Sequence, residues 1–484
     1  MFSQAVGCSQ EKATDDKPRE ACGVFGIYGP GRDVATLTYY GLYALQHRGQ
    51  ESAGIAVSDG SAIHVHKNTG LVAEVFNDDV LNSLKGKIAI GHVRYADSGD
   101  RSVVNAEPLR FNYLRGSVAL AHNGRLLNAR ELRHSLAING SVFQSTTDSE
   151  VIVNLIARYG QNPLEEALLK CMIDLKGAYA LVVMTEDRLI GVRDPYGVRP
   201  LCLGKLDEAY VLASETCALD TIGAVFVRDV EPGEIVIIDQ EGVRSIRTMV
   251  SSRKALCIFE YVYLARPDST IDGETVNLVR RKMGHSLAEE VRPEVDLVIA
   301  VPDSGTTAAM GYAEAARLPF QEGLMKNRYI GRTFIRPSQK LRDVEVRLKL
   351  NPIRQVLQDQ RVALVDDSLV RGTTSKKIIK MLRQVGVKEV HLLISSPPVL
   401  YPCYYGIDTS ARGELIAARQ DLDAICRHIG ADSLHYLSLE GLLKSFQSDP
   451  ASFCTACFSG EYVPGAPAEG AAIPFLKGGS RHEI

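Results

Sequence analysis

The chain contains no apolar run long enough to cross a bilayer. It has no block of lysine and arginine of the kind that grips nucleic acid or an anionic membrane, and no internal repeat. Its net charge is only −3 over 484 residues, so there is no electrostatic case for either partner. Residues 1–21 lack the apolar core of a secretory signal. They also carry acids (Glu11, Asp15, Asp16, Glu20) that a mitochondrial transit peptide avoids. A soluble, cytoplasmic enzyme is expected. Ten cysteines in a chain of this length do not make a disulfide framework. Cys171, Cys202, Cys217 and Cys426 lie in or beside apolar segments and read as ordinary buried thiols. Cys8 has no evident role.

The length favours two or more domains. The most informative stretch runs from Arg361 to Ser375. Val362, Ala363, Leu364 and Val365 form a short apolar run suited to a strand buried on both faces of a parallel sheet. Two acids, Asp366 and Asp367, stand at its carboxyl end, where open α/β sheets place their ligands. Arg371, Gly372, Thr373, Thr374 and Ser375 then open a helix with Ile378, Ile379, Leu382 and Val385 on one stripe. Free amides and hydroxyls at a helix N-terminus suit a phosphate, and adjacent acids suit sugar hydroxyls. This segment resembles the phosphoribosylpyrophosphate (PRPP) loop of type I phosphoribosyltransferases. The resemblance implies that Asp366 and Asp367 lie along the ribose hydroxyls and that the loop holds the 5-phosphate. Asp296–Val301 reads as a second buried strand, ending in Pro302-Asp303-Ser304-Gly305-Thr306-Thr307. In the resembled family this is the pyrophosphate loop, with Ser304, Asp366 and Asp367 near a Mg2+ ion. The basic stretch from Lys326 to Lys349 corresponds to a lid, and Lys326, Arg328 and Arg332 become pyrophosphate contacts.

The first half is rich in short strands broken by turns, such as 87–91, 118–121 and 180–184, which suggests antiparallel sheets sandwiched with helices. Cys22-Gly-Val-Phe-Gly-Ile27 opens it. Leu45-Gln-His-Arg-Gly-Gln-Glu-Ser52, Gly91-His-Val-Arg-Tyr95, His122-Asn-Gly124 and Thr147-Asp148 follow. Together these resemble the class II glutamine amidotransferases of the N-terminal-nucleophile fold. The resemblance implies that residues 1–21 are a propeptide whose removal leaves Cys22 first. Its thiol would attack the glutamine carboxamide and its α-amine, with a pKa near ~7.7–8.0, would serve as base. It further implies that Arg94 pairs with the glutamine α-carboxylate and Asp148 with its α-ammonium, and that Asn123 and the Gly124 N–H form the oxyanion hole. Arg193–Pro200 and Ala213-Ser-Glu215 match the same family and read as scaffold on the interdomain side.

Cys454-Thr-Ala-Cys457, Cys257 and Cys403 form another constellation. Four thiolates hold either a tetrahedral zinc or an iron–sulfur cubane, and spacing alone does not separate the two. These positions resemble the ligands of a [4Fe–4S] subgroup of the glutamine PRPP amidotransferases, in which the cluster is structural. The resemblance covers Cys22 to about Tyr462. The implied fold is an α+β N-terminal-nucleophile glutaminase domain (an αββα sandwich) over 22–250. An α/β type I phosphoribosyltransferase domain with a central parallel sheet follows over 251–462, and 463–484 form a flexible tail. The implied reaction makes 5-phosphoribosylamine, glutamate and pyrophosphate from PRPP, glutamine and water, opening purine synthesis. Ammonia is expected to pass between the sites along an apolar passage. Purine nucleotides are implied as inhibitors, and a homotetramer as the assembly. Two alternatives stay open: another class II glutamine amidotransferase, such as a hexosamine-forming enzyme, or a non-catalytic nucleotide-sensing regulator on a phosphoribosyltransferase fold.

Overall fold

The computed structural model describes residues 22–95, 102–247, 251, 253–327, 350–409 and 412–466. The expected propeptide, Arg328, Arg332 and most of the expected tail lie outside the described residues.

Among the described residues, the first half carries two antiparallel sheets, of seven and six strands. The strand Gly23–Tyr28 is central in the larger one, between Ala209–Ala213 and Ile88–Arg94. Period-2 alternation sorts its side chains. Phe25 and Ile27 pack toward the helix Val34–Ala44, while Val24 and Tyr28 turn the other way. There they meet Ala119, Ala121, Ala180 and Val182 of the smaller sheet. That sheet's outer face is covered by Asp148–Arg158 and Leu164–Asp174, through Ile152, Leu155 and Leu168. The layers are therefore helix, sheet, sheet, helix, as expected.

In the second half, four parallel strands run in the order Leu297–Ala300, Arg361–Asp366, Glu389–Ile394, Ser433–Tyr436 among the described residues. Both faces are covered, which is why the strands read as unbroken apolar runs. Val298, Ala300, Ala363 and Val365 pack with the helices Val276–Glu290 and Thr306–Ala316. Ile299, Val362, Leu364 and Leu392 pack with Ile378, Ile379 and Leu382 of Thr373–Gln384. Truncating a residue such as Leu364, fully buried, costs roughly 2–5 kcal/mol.

The two halves share a buried junction. The Ala255 and Cys257 N–H groups donate to the Tyr196 and Val198 carbonyls at 2.8 and 3.1 Å. Arg193 forms a two-pronged pair with Asp272, at 2.9 and 3.1 Å. The segment read as interdomain scaffold thus makes direct contacts across the junction. The chain still touches the body at Gly465, whose carbonyl accepts from the Tyr405 hydroxyl at 2.7 Å.

One junction group gives a pH dependence. Asp229 is pushed up to about 7 by burial and by the charge of Asp272, against the pull of Arg193. The folded state then binds its proton more tightly than the unfolded chain, whose pKa is near ~3.9. Stability from this group is present at low pH and falls as pH rises toward 7. Asp229→Asn should raise Tm by on the order of 2 °C at pH 8.5 and change it little near pH 4. Thermal unfolding at both pH values checks this.

Candidate active sites

Cys22 immediately precedes its strand and shares the parity of Val24, which points between the sheets. The register pairs Val24 with His92 and Gly23 with Val93, so Arg94 stands opposite Cys22 at the sheet's end. From the facing sheet, Ala119 and Ala121 enter the same gap, and Asn123 follows with the same parity. Alternation along three remote segments thus brings Cys22, His92, Arg94 and Asn123 to one end of the inter-sheet space.

Asn123 is fully buried, and neither its carboxamide oxygen nor its nitrogen has a hydrogen-bond partner. An unsatisfied buried polar group costs roughly 1–3 kcal/mol. Such a group suits a site where an incoming molecule supplies the missing partner. Gly124 has φ +139°, and a Cβ there would lie 2.1 Å from the Ala178 carbonyl oxygen, so only glycine fits. Asp148 opens its helix beside this strand, accepting from the Leu126 N–H at 2.9 Å.

The electrostatics favour a reactive thiol. Burial pushes Cys22 up, but the charge of His92 beside it and the Tyr95 N–H more than offset burial, leaving it below the ordinary value. Burial depresses His92, yet Glu107 and Cys22 outweigh burial and leave it raised. The His92 Nε2 lies 3.0 Å from the His122 carbonyl and 3.7 Å from Glu107. Glu107 is held by the His122 N–H at 2.8 Å and the Ser149 hydroxyl at 2.5 Å.

In the second half, the adjacent parallel strands Leu297–Ala300 and Arg361–Asp366 deliver both candidate loops to the same sheet edge. Asp366 ends its strand, and Asp366 and Asp367 are 2% and 1% exposed. The Asp367 N–H donates to the Asp366 carboxylate at 2.9 Å, and Ser368 donates to Asp367 at 2.5 Å. The loop 302–305 lies against this strand end: a Cβ on Gly305 would sit 2.7 Å from the Val365 carbonyl oxygen. Asp303 exposes its carboxylate and pairs with Lys326 at 2.5 Å. Gly372 precedes the helix Thr373–Gln384; Ser375 is buried, Thr373 is exposed, and Arg371 pairs with Glu414 at 2.5 Å. Asp303, Ser304, Gly305, Lys326, Asp366, Asp367 and the loop Arg371–Ser375 are therefore neighbours on one edge.

Residues 92–221 match a family model described as a glutamine amidotransferase domain. The chain is 50% identical to the amidophosphoribosyltransferase of Bacillus subtilis over 448 residues, covering 92% of this chain and 94% of that protein. It is 49% identical to that of Mycobacterium tuberculosis, covering 96% and 90%. The chain belongs to the amidophosphoribosyltransferase family. A solved structure of glutamine PRPP amidotransferase from B. subtilis, complexed with ADP and GMP, superposes with a TM-score of 0.89 at 49% identity, covering 94% of this chain and all of that one. A second, described as the allosteric regulatory enzyme of purine biosynthesis, gives the same TM-score at 50% identity, covering 94% of this chain and 98% of that one. As an amidophosphoribosyltransferase, the protein forms 5-phosphoribosylamine from PRPP and glutamine in purine synthesis.

Two features of this amidophosphoribosyltransferase escaped the motif reading. His92 lay inside Gly91-His-Val-Arg-Tyr95, two residues before Arg94 on the same strand face, and that parity was the available signal. Glu107 belonged to no motif and is found only by the fold. The four candidate cluster cysteines also converge. Cys257 and Cys454 are register partners in a short parallel pair. Cys257, Cys403 and Cys454 belong to one buried cluster against which Cys457 packs. All are free thiols. Burial raises Cys257, Cys454 and Cys457, with mutual repulsion adding to it. Among the described residues, no three His, Cys, Asp or Glu side chains are grouped so as to hold a single metal ion. No described helix is long and apolar enough to cross a membrane.

Proposed function

We propose that the two edges described above are the half-sites of one enzyme, with roles as follows. Arg94 and Asp148 hold the α-carboxylate and α-ammonium of glutamine. The Cys22 thiol attacks the carboxamide carbon, and the oxyanion settles against Asn123 and the Gly124 N–H. The thiol proton passes by way of the base to the amide nitrogen, which leaves as ammonia, and water then hydrolyses the thioester to glutamate and frees the thiol. Residues 1–21 act as a propeptide, and the α-amine freed at Cys22 is the base. The orphaned, buried carboxamide of Asn123 is the observation that carries this half.

Ammonia then moves to the second edge along an apolar passage and displaces pyrophosphate from C1 of PRPP. Asp366 and Asp367 align the ribose hydroxyls. Arg371, Gly372, Thr373, Thr374 and Ser375 cradle the 5-phosphate at a helix N-terminus. Asp303, Ser304 and Gly305 face the leaving pyrophosphate with Lys326, Arg328 and Arg332. Holding the reactants in register supplies most of the acceleration. Ser304, Asp366 and Asp367 offer the hard oxygen donors that Mg2+ takes, and Mg2+ bound there would neutralise pyrophosphate charge. Glutamate release from glutamine, measured with and without PRPP and Mg2+, tests the assignment. Release that rises sharply with PRPP supports it, and release indifferent to PRPP refutes the coupling.

Cys257, Cys403, Cys454 and Cys457 fit a [4Fe–4S] cluster by donor type, burial and proximity. These four thiolates would hold the irons of the cluster. The group would tie the C-terminal segment to the body. Protein purified without oxygen should show broad visible absorption that Cys454→Ser largely removes, with iron content falling alongside it. Colourless, iron-free parent protein with full activity would refute this assignment. ADP and GMP, bound by the B. subtilis relative, are candidate inhibitors here. A cytoplasmic homotetramer completes the reading.

A further inference from the structure

At the junction of the two halves lies a buried ion network that the mechanism above does not use. Arg48 is 1% exposed, and Glu260 and Arg199 are fully buried. The Arg48 Nη1 donates to Glu215 at 2.6 Å and to Glu260 at 2.9 Å, and its Nη2 donates to Glu260 at 2.9 Å. Its Nε donates to the backbone carbonyl of Cys22 at 3.3 Å. Glu260 also accepts from Arg199 at 3.1 Å. Arg199 in turn donates to the Tyr405 carbonyl at 2.8 Å, two residues from Cys403. On the other side, Glu215 accepts from the Arg266 N–H at 2.9 Å and the Ser269 hydroxyl at 2.6 Å.

The arrangement is directional. Two guanidinium groups, with the His47 imidazole 2.8 Å from Glu215, face two carboxylates, so neither carboxylate is left uncompensated in a medium where an unpaired charge is very costly. Glu260 comes from the second half of the chain, three residues after Cys257. The group it grips comes from the first half and holds the Cys22 backbone. A planar fork engaged on both edges fixes orientation as well as distance. Burial disfavours ionisation of Glu215, but His47 and Arg48 more than offset burial and hold it well below the usual carboxylate range. Glu215 therefore stays charged throughout the neutral range, as does Arg48.

We propose that Glu260 is a positioning residue for glutamine cleavage: through Arg48 it sets the placement of the Cys22 backbone, making the glutaminase site complete only when the second half is docked. This rests on the reading of Cys22 as nucleophile. Glu260 touches no substrate, and its effect should appear where Cys22 reacts and nowhere else.

The test uses the full-length enzyme with Glu260→Gln. It compares product formation from glutamine with product formation from added ammonia, which bypasses Cys22. Glutamine-dependent kcat should fall about tenfold or more, with KM for glutamine changed less than about twofold and the ammonia-dependent rate nearly unchanged. Alkylation of Cys22 by a glutamine-like electrophile should slow in parallel. Glu260→Asp, which keeps the charge on a shorter stem, should recover part of the loss. If Glu260→Gln folds poorly, the pair Glu260→Gln with Arg199→Gln removes equal and opposite charges and leaves Arg48 paired with Glu215. Equal loss of both activities, a change in KM alone, or no change would overturn the proposal. Cys22→Ala, run beside it, separates the two ideas: glutamine-dependent activity surviving in that variant would refute the nucleophile, not the network.

Discussion

Cys22→Ala should abolish product formation from glutamine while leaving synthesis from added ammonia within about twofold of the parent. The expected loss is large because, in the proposed mechanism, the thiol forms the bond that splits the carboxamide. Removing a covalent nucleophile leaves only binding and the oxyanion donors, and losses on the order of 10⁴ or more follow in other acyl-transfer sites. The second edge is untouched: Asp366 and Asp367 sit on a different sheet, in the second half of the chain. The experiment measures phosphoribosylamine formation from each nitrogen source, with glutamate release as a control. Loss of both activities in a well-folded variant would show that Cys22 holds the halves together and is more than a nucleophile. Substitution by alanine removes only the thiol of a half-buried residue at the start of a strand, so the fold should tolerate it.

The complementary variant is Asp367→Asn, with Asp366→Asn beside it. Each should depress both the glutamine-dependent and the ammonia-dependent reaction, by on the order of 10²–10³ in kcat/KM for PRPP. Two hydrogen bonds that sugar hydroxyls donate to a charged carboxylate are each worth roughly 1.5–3 kcal/mol, and every 1.4 kcal/mol is tenfold. The isosteric amide keeps volume but converts one acceptor into a donor. Asp367 also takes the Ser368 hydroxyl, so local structure should survive, with a Tm close to the parent's. A fall confined to the glutamine-dependent reaction would contradict the assignment, because both nitrogen donors need PRPP held the same way. Asp366 and Asp367 together with Cys22 thus give opposite signatures in a single pair of assays.

The four-cysteine set and the pH response of Asp229 probe the body that holds the two edges in place. Both depend on groups whose partners lie far away in sequence. Arg193 meets Asp272 across 79 residues, and Cys257 meets Cys454 as a register partner. Spacing showed that four thiols were present. Their burial in one apolar cluster is a property of the folded chain.

Local pattern was enough for the elements that carry their own signals. The apolar run at 362–365, the acids behind it and the stripe of Ile378, Ile379 and Leu382 are contiguous. Backbone geometry alone therefore makes them a strand, a turn and a helix N-terminus, as found. The same holds for the segment after Cys22 and for the turn at 302–307. Even the parity that aims Cys22, Arg94 and Asn123 into one gap follows from the period of two, once the strands are known to pair. Tertiary structure decided the rest: which strands pair, which carboxylate stands behind His92, and which charge holds Arg48. Glu260 lies 212 residues from Arg48, and nothing in either neighbourhood names the other. Buried charges must find opposite charges because leaving them unpaired costs too much, but which ones meet is set by how two sheets and a second domain pack. Sequence therefore determined which chemical groups each half carries, and only the packed chain determined that Glu260 of one half grips the Arg48 that holds the Cys22 backbone of the other.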